Sequence, residues 1–282
     1  MEKGITLVAV FYNEEKRLPG YFRNIGGYFD RMIFVDCSST DNTYLFCEKS
    51  GAAVIKSPVR YFEQNVNKAL DKVETGWVMV LDADERIPQP LKKEITEAVA
   101  KGDSDVFLIR RVNYLFGGFS TKSSINTFLP RLFRKGCVRW EKEMPHEAPK
   151  IYGRTKKLSG EFYHYAYPDL PSYLSKMADY LCIMPSEYAK KGKTKVLIGN
   201  RDRRVSMIFG THGFRRLFIY PPVLVLSHLF AKRLILDGMG GVVFSFCAGI
   251  YAFFEEAMHW EADLQSKGGG VGFDWSREFP DR

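Results

Sequence analysis

Asp82-Ala83-Asp84-Glu85 stands directly after the apolar run Val78-Met79-Val80-Leu81. Carboxylates two residues apart at the end of a strand can reach one hard divalent cation, together or through water. Such an ion, Mg²⁺ or Mn²⁺, bridges and neutralises a diphosphate. An isolated Asp-x-Asp is more often a solvated acidic turn, so its position has to decide. Two other polar residues, Asn13 and Asp36, also follow short apolar runs, Ile5–Phe11 and Met32–Val35. Three chemistry-bearing positions at three predicted strand ends are the main signal in the chain.

The elements that must position them alternate. The patterning predicts strands at Ile5–Phe11, Met32–Val35, Ala53–Ile55, Trp77–Leu81 and Val106–Ile109. Between them fall helical segments at Glu15–Phe29, Asn42–Lys49, Phe62–Val73 and Leu91–Ala100. Ser38-Ser39-Thr40-Asp41 supplies N-cap choices for the second helix, and Gly51 lies just past its end. Short apolar strands separated by helices predict an α/β fold with a mainly parallel sheet and flanking helices. In that architecture ligands sit beyond the carboxyl ends of the strands. The pattern then loosens, with strand-like pieces at Thr127–Phe133 and Gly160–Tyr165 and a helix opening at Pro171 and running to about Lys191.

Beyond Val205 the character changes. Leu217–Leu236 is apolar but is broken by Pro221-Pro222, His228 and Lys232-Arg233, and Val242–Phe254 is a shorter apolar run. A membrane-spanning helix needs about 20 apolar residues, so neither run alone reads as a clean span. Basic pairs at Arg203-Arg204, Arg215-Arg216 and Lys232-Arg233 suit anionic head groups while the apolar neighbours settle into the interface. A buried appendage or a homo-oligomer contact is the alternative. The expected division is a catalytic domain over 1–168, a helical extension over 169–204, an apolar and basic membrane-associating helical appendage over 205–264, and a tail over 265–282.

The 282 residues carry a formal net charge of +8 and a sequence pI of about 9.1, which favours anionic partners. Nucleic acid is not expected among them, because the chain has no zinc-finger spacing and no recognised RNA-binding motif. The five cysteines show no CxxC pair, a pattern of reduced cytosolic thiols. The start, Met1-Glu2-Lys3-Gly4-Ile5-Thr6-Leu7, reads as a first strand and not as a signal peptide.

Three stretches together resemble family 2 glycosyltransferases of GT-A fold. They are Val8-Ala9-Val10-Phe11-Tyr12-Asn13-Glu14-Glu15, Val35-Asp36-Cys37-Ser38-Ser39-Thr40-Asp41-Asn42-Thr43 and Leu81-Asp82-Ala83-Asp84-Glu85. Pro130-Arg131-Leu132-Phe133-Arg134, Met144-Pro145-His146-Glu147 and His164-Tyr165 look like later motifs of that family. Leu236-Asp237-Gly238-Met239-Gly240-Gly241 is similar to a segment of its lipopolysaccharide-core subgroup.

The resemblance implies that Tyr12, Asn13 and Glu14 line a nucleotide pocket and that Asp36 contacts the base. It places Asp82 near the ribose and diphosphate, with Asp84 on the metal. Relatives often carry Arg-Asn where this chain has Val66-Asn67-Lys68, so Lys68 is the candidate for the missing cation. Glu147 matches the family's catalytic base, His146 is a candidate to orient it, and His164 is a candidate metal ligand or donor to the diphosphate. Arg131 and Arg134 are candidates to face phosphate or acceptor. The expected reaction is an inverting sugar transfer from a nucleotide-sugar donor, most simply a UDP-sugar, to a lipid-linked glycan at the cytoplasmic face of the membrane. A nucleotidyltransferase would carry a Gly-rich phosphate loop near the first strand, which is absent. A non-catalytic nucleotide-sugar or membrane-binding module is the remaining alternative.

Overall fold

The computed structural model describes residues 2–58, 62–140, 148–190 and 214–266. The chain divides into two compact units, residues 1–114 with 126–166 and residues 115–125 with 167–282.

The first unit opens with β1 (Glu2–Phe11), α1 (Leu18–Ile25), β2 (Arg31–Asp36), α2 (Thr43–Lys49), β3 (Ala53–Lys56), α3 (Phe62–Leu70) and β4 (Thr75–Val80). There follow β5 (Glu85–Arg86), α4 (Gln89–Lys101), β6 (Val106–Leu115), β7 (Gly118–Phe119, in the stretch that belongs to the second unit), β8 (Phe128–Arg134), β9 (Val138–Arg139), β10 (Lys150–Ile151) and β11 (Thr155–Tyr167). The main sheet has the order β3-β2-β1-β4-β8-β6-β11-β5. β1 pairs in parallel with both β2 and β4, and β2 with β3. β8 then runs antiparallel to β4 and to β6. The parallel half is the part whose βα alternation was readable, because each parallel step needs a helical crossover.

The parallel strands are apolar on both faces, as expected where helices cover a sheet on each side. Alternation sorts them. Leu7, Ala9, Phe11, Trp77, Met79 and Leu81 enter one core with Leu18, Tyr21 and Ile25 of α1 and Leu91 and Ile95 of α4. Val8, Val78 and Val80 enter the opposite core with Val66, Ala69 and Leu70 of α3. Each such large side chain contributes about 1.5–3 kcal/mol by leaving water. A one-residue slip in β4 would exchange the two cores, so the register Val8↔Val80 is strongly held.

The second unit contains α5 (Leu170–Lys190), α6 (Tyr220–Leu226) and α7 (Gly238–Ser266). Pro221 and Pro222 occupy the first turn of α6, and π turns flank it at Arg215–Ile219 and Ser227–Ala231. Proline has no N–H to continue the i→i−4 ladder, which accounts for the widened turn before it. Arg233, in the left-handed region at φ 60°, turns the chain into a 3₁₀ segment, Leu234–Asp237. The Asp237 carboxylate accepts the backbone N–H groups of Lys122 (2.8 Å) and Ser123 (3.2 Å). A Cβ on Gly240 would strike the Leu115 carbonyl oxygen, and one on Gly241 would strike that of Leu234. The Leu236–Gly241 motif thus ties residues 115–125 to the start of α7.

Leu234–Glu261, 28 residues, is long and apolar enough to cross a membrane by length and composition, and most of it is not buried within the protein. The thirteen-residue run Val242–Phe254 therefore understates the helix. Its continuation carries Glu256, which is buried and paired at 2.6 Å with Arg216 from the facing helical segment.

Candidate active site

The carboxyl ends of β1, β2 and β4 lie side by side, because Phe11 pairs with Asp36 and Val8 with Val80. Two loops leave this edge and are stapled together. Asn13 adopts a left-handed φ of 54°, donates its backbone N–H to Ser39 Oγ (3.0 Å) and accepts the Thr40 N–H on Oδ1 (2.8 Å). The Glu14 N–H goes to Thr43 Oγ1 (2.7 Å) and the Glu15 N–H to Asp41 (3.2 Å). Asp41 also accepts the Thr43 N–H at 2.9 Å, so it is the member of the Ser38–Asp41 run that satisfies the start of α2.

Tyr12 is partly exposed, and the Glu14 side chain is paired with Arg17 at 2.6 Å. Asp36 is almost wholly buried; Oδ2 accepts the Ser39 N–H at 3.3 Å, and Oδ1 has no hydrogen-bond partner among the described residues. Its role is thus distinct from that of a helix cap. Lys68 donates to Ser57 Oγ (2.7 Å), and the Ser57 N–H donates to the Asp36 carbonyl (2.9 Å). That chain of bonds brings Lys68 to the Asp36 edge.

After β4 the backbone turns tightly, with the Glu85 N–H on the Asp82 carbonyl and the Asp82 N–H on Glu85 Oε2. Arg131 of β8 reaches under this turn. Its Nη2 lies 2.7 Å from Asp82 Oδ2 and 2.5 Å from Glu85 Oε1. Burial pushes the Glu85 carboxyl up, the guanidinium pulls it back down, and Asp82 on the same nitrogen pushes it up again. Burial opposes the charge on Arg131, but Asp82 and Glu85 outweigh it and hold the guanidinium above its ordinary value. The expectation that Arg131 faces phosphate or acceptor is therefore corrected: it is buried beneath the acidic turn. Arg134, three residues further along β8, stacks its guanidinium over Trp77 at 4.6 Å and bonds the Gly102 carbonyl.

β11 completes the group. His164 is in register with Glu85 and the Tyr165 N–H donates to the Asp84 carbonyl. His164 Nε2 consequently lies 3.5 Å from Asp84 Oδ1, both side chains being less than a fifth exposed. On its other side His164 Nδ1 lies 2.8 Å from Asn113 Oδ1. Nothing local in the sequence announced Asn113, the burial of Glu85 or the inward turn of Arg131. The Arg131–Glu85 and His164–Asn113 pairs join residues 46 and 51 apart in the chain.

Asp84 and His164 could hold a divalent ion. Among the described residues no three His, Cys, Asp or Glu side chains gather as a metal cage. One carboxylate and one imidazole fit an ion that completes its shell with water and substrate phosphates. Asp82 Oδ1, which has no hydrogen-bond partner among the described residues, adds an acceptor at the same turn. Glu147 and His146 lie outside the described residues. Arg139, at the edge of the described residues before them, is paired with Asp71 at 2.7 Å.

The sequence matches the model of glycosyl transferase family 2 over residues 6–159, more than half of the chain. It is 25% identical to an uncharacterized glycosyltransferase of Rickettsia typhi over 68% of this chain and 70% of the relative. It is 24% identical to LpsC, a lipopolysaccharide core biosynthesis glycosyltransferase of Rhizobium meliloti, over 80% of this chain and 81% of that one. A similar fold occurs in the crystal structure of S. aureus TarS 1-349 in complex with UDP-GlcNAc, with a TM-score of 0.51 and 16% identity over 97% of this chain and 94% of that one. The acidic turn Asp82–Glu85 and the strands before it from residue 6 onward fall within the matched stretch, and the protein is a member of glycosyl transferase family 2.

Proposed function

We propose that the protein moves a sugar from a nucleotide diphosphate donor, a UDP-sugar, to a lipid-linked saccharide such as a lipopolysaccharide core. The transfer is inverting and assisted by Mg²⁺ or Mn²⁺. The observation that carries this reading is the approach of Asp84 Oδ1 to His164 Nε2 at 3.5 Å, beside the edge where Asp36 and the β1 loop converge.

In this reading Tyr12, Asn13 and Glu14 line the nucleotide pocket and Asp36 receives the base. Lys68 supplies positive charge near that edge. Asp82 keeps one oxygen on Arg131 and offers the other to the ribose and diphosphate. A divalent ion held by Asp84 and His164 would offset the charge that grows on the departing diphosphate. The acceptor hydroxyl attacks the anomeric carbon, the bond from that carbon to the diphosphate oxygen breaks with its electron pair on UDP, and the hydroxyl proton passes to Glu147. Glu147 enters on the family resemblance of Met144-Pro145-His146-Glu147.

Residues 1–168 are assigned the catalytic work and 205–264 association with the cytoplasmic face of a membrane. Exposed Phe230, Leu236, Met239 and Phe246, with Lys232 and Arg233 nearby in sequence, support an apolar and basic surface for anionic lipid. The name of the Rhizobium meliloti relative supports a lipid-anchored acceptor.

The test is turnover of a panel of nucleotide sugars with Mn²⁺ and core-truncated lipopolysaccharide. One UDP-sugar is expected to be consumed, and Asp84→Asn is expected to lower kcat by about 10²–10³-fold at unchanged thermal stability. Turnover of no donor, or full activity of the variant, removes the reading.

A further inference from the structure

We infer that Asn113 is a positioning residue that holds His164 in one tautomer, with the proton on Nδ1 and the lone pair of Nε2 turned to Asp84. A backbone N–H is a donor whatever the side chains do. The backbone N–H of Asn113 points at Asn126 Oδ1 at 3.2 Å, so that atom of Asn126 has to be its oxygen. The side-chain Nδ2 of Asn113 lies 3.2 Å from the same oxygen. Only an NH₂ group satisfies an acceptor there, because two carbonyl oxygens would repel.

The remaining end of the Asn113 amide is therefore its oxygen, and it lies 2.8 Å from His164 Nδ1. Nδ1 must then carry the hydrogen. In a neutral imidazole that leaves Nε2 as the acceptor, and Nε2 is the nitrogen 3.5 Å from Asp84 Oδ1. Two lone-pair atoms so placed are the arrangement a cation joins. Asn113 is more than nine-tenths buried, and β6 and β11 are neighbours in the sheet, so the relay rests on rigid elements. Partners behind a ligating histidine commonly set its tautomer and ring orientation.

The use of this tautomer rests on the proposed ion-binding role of Asp84 and His164; the tautomer itself does not. Two measurements keep them apart. The first is the ¹⁵N spectrum of the His164 ring in the metal-free protein at about pH 8.5, where an ordinary histidine is neutral. An unprotonated Nε2 is expected in the wild type, a mixture of tautomers in Asn113→Leu, and the wild-type signal in Asn126→Asp, which keeps the acceptor. A protonated Nε2 in the wild type, or a spectrum unchanged by Asn113→Leu, overturns the inference.

The second is Mn²⁺ affinity in the presence of UDP, followed by electron paramagnetic resonance. Asn113→Leu is expected to weaken binding about 10–100-fold, with Asn126→Asp close to wild type. Equal affinity in Asn113→Leu overturns the positioning role. A wild type that binds no Mn²⁺ removes the ion reading, and the ring spectrum then decides the tautomer by itself.

Discussion

Arg131 Nη2 lies 2.5 Å from Glu85 Oε1, and that carboxylate is completely buried. The same nitrogen also holds Asp82, so one guanidinium supports both ends of the acidic turn whose middle carries Asp84. A buried carboxylate without its counter-charge is costly, and removal of one partner typically costs about 3–5 kcal/mol. Arg131→Met is accordingly expected to lower unfolding free energy by about that amount in urea titrations. A loss below about 1 kcal/mol would show that the turn does not depend on this cation.

The loop staple has a pH signature. Burial acts to raise the Asp41 carboxyl, but hydrogen bonds from the Thr43 side chain and from the backbone N–H groups of Thr43 and Glu15 outweigh it and hold it low. A lowered folded value contributes stability above the ordinary carboxylate range and loses it as pH falls through the folded value. Asp41→Ala is expected to cost about 1 kcal/mol at pH 7, as for a lost cap, screened by its partial exposure. The gap between the melting curves of the wild type and Asp41→Ala should narrow on acidification to about pH 3. A gap that widens in acid contradicts the assignment.

Gly240 offers a test by sign. In an open helix Gly→Ala stabilises by about 1 kcal/mol. Here the new Cβ meets the Leu115 carbonyl oxygen, and overpacking of this kind costs about 1–3 kcal/mol. Thermal denaturation of Gly240→Ala should therefore show a loss; a gain would mean that α7 does not press on residues 115–125.

Phe230 and Met239 are 62% and 74% exposed. If this surface enters lipid, each buried side chain contributes about 1.5–3 kcal/mol. Phe230→Ser and Met239→Ser should each weaken co-sedimentation with phosphatidylglycerol vesicles about tenfold or more. Unchanged binding of the double variant would take the apolar surface out of membrane association.

Local patterning carried the parallel half of the sheet. The runs at β1 and β4 alternate between two cores, and the polar residues that end them were visible as Asn13, Asp36 and Asp82-Ala83-Asp84. Strand periodicity and βα alternation are short-range properties, so a single sequence displays them. Arg131 and Arg134 look alike in that display. Only the pairing of β8 with β4 distinguishes the arginine beneath the acidic turn from the one stacked on Trp77. Likewise the run Val242–Phe254 looked too short because Glu256 interrupts no helix once Arg216 neutralises it. The amino acids alone determined which strands form and where their acidic ends fall. Tertiary structure decided which charge answers which, because Arg131 meets Glu85, His164 meets Asn113 and Glu256 meets Arg216 across 46, 51 and 40 residues of chain, distances over which no local preference acts.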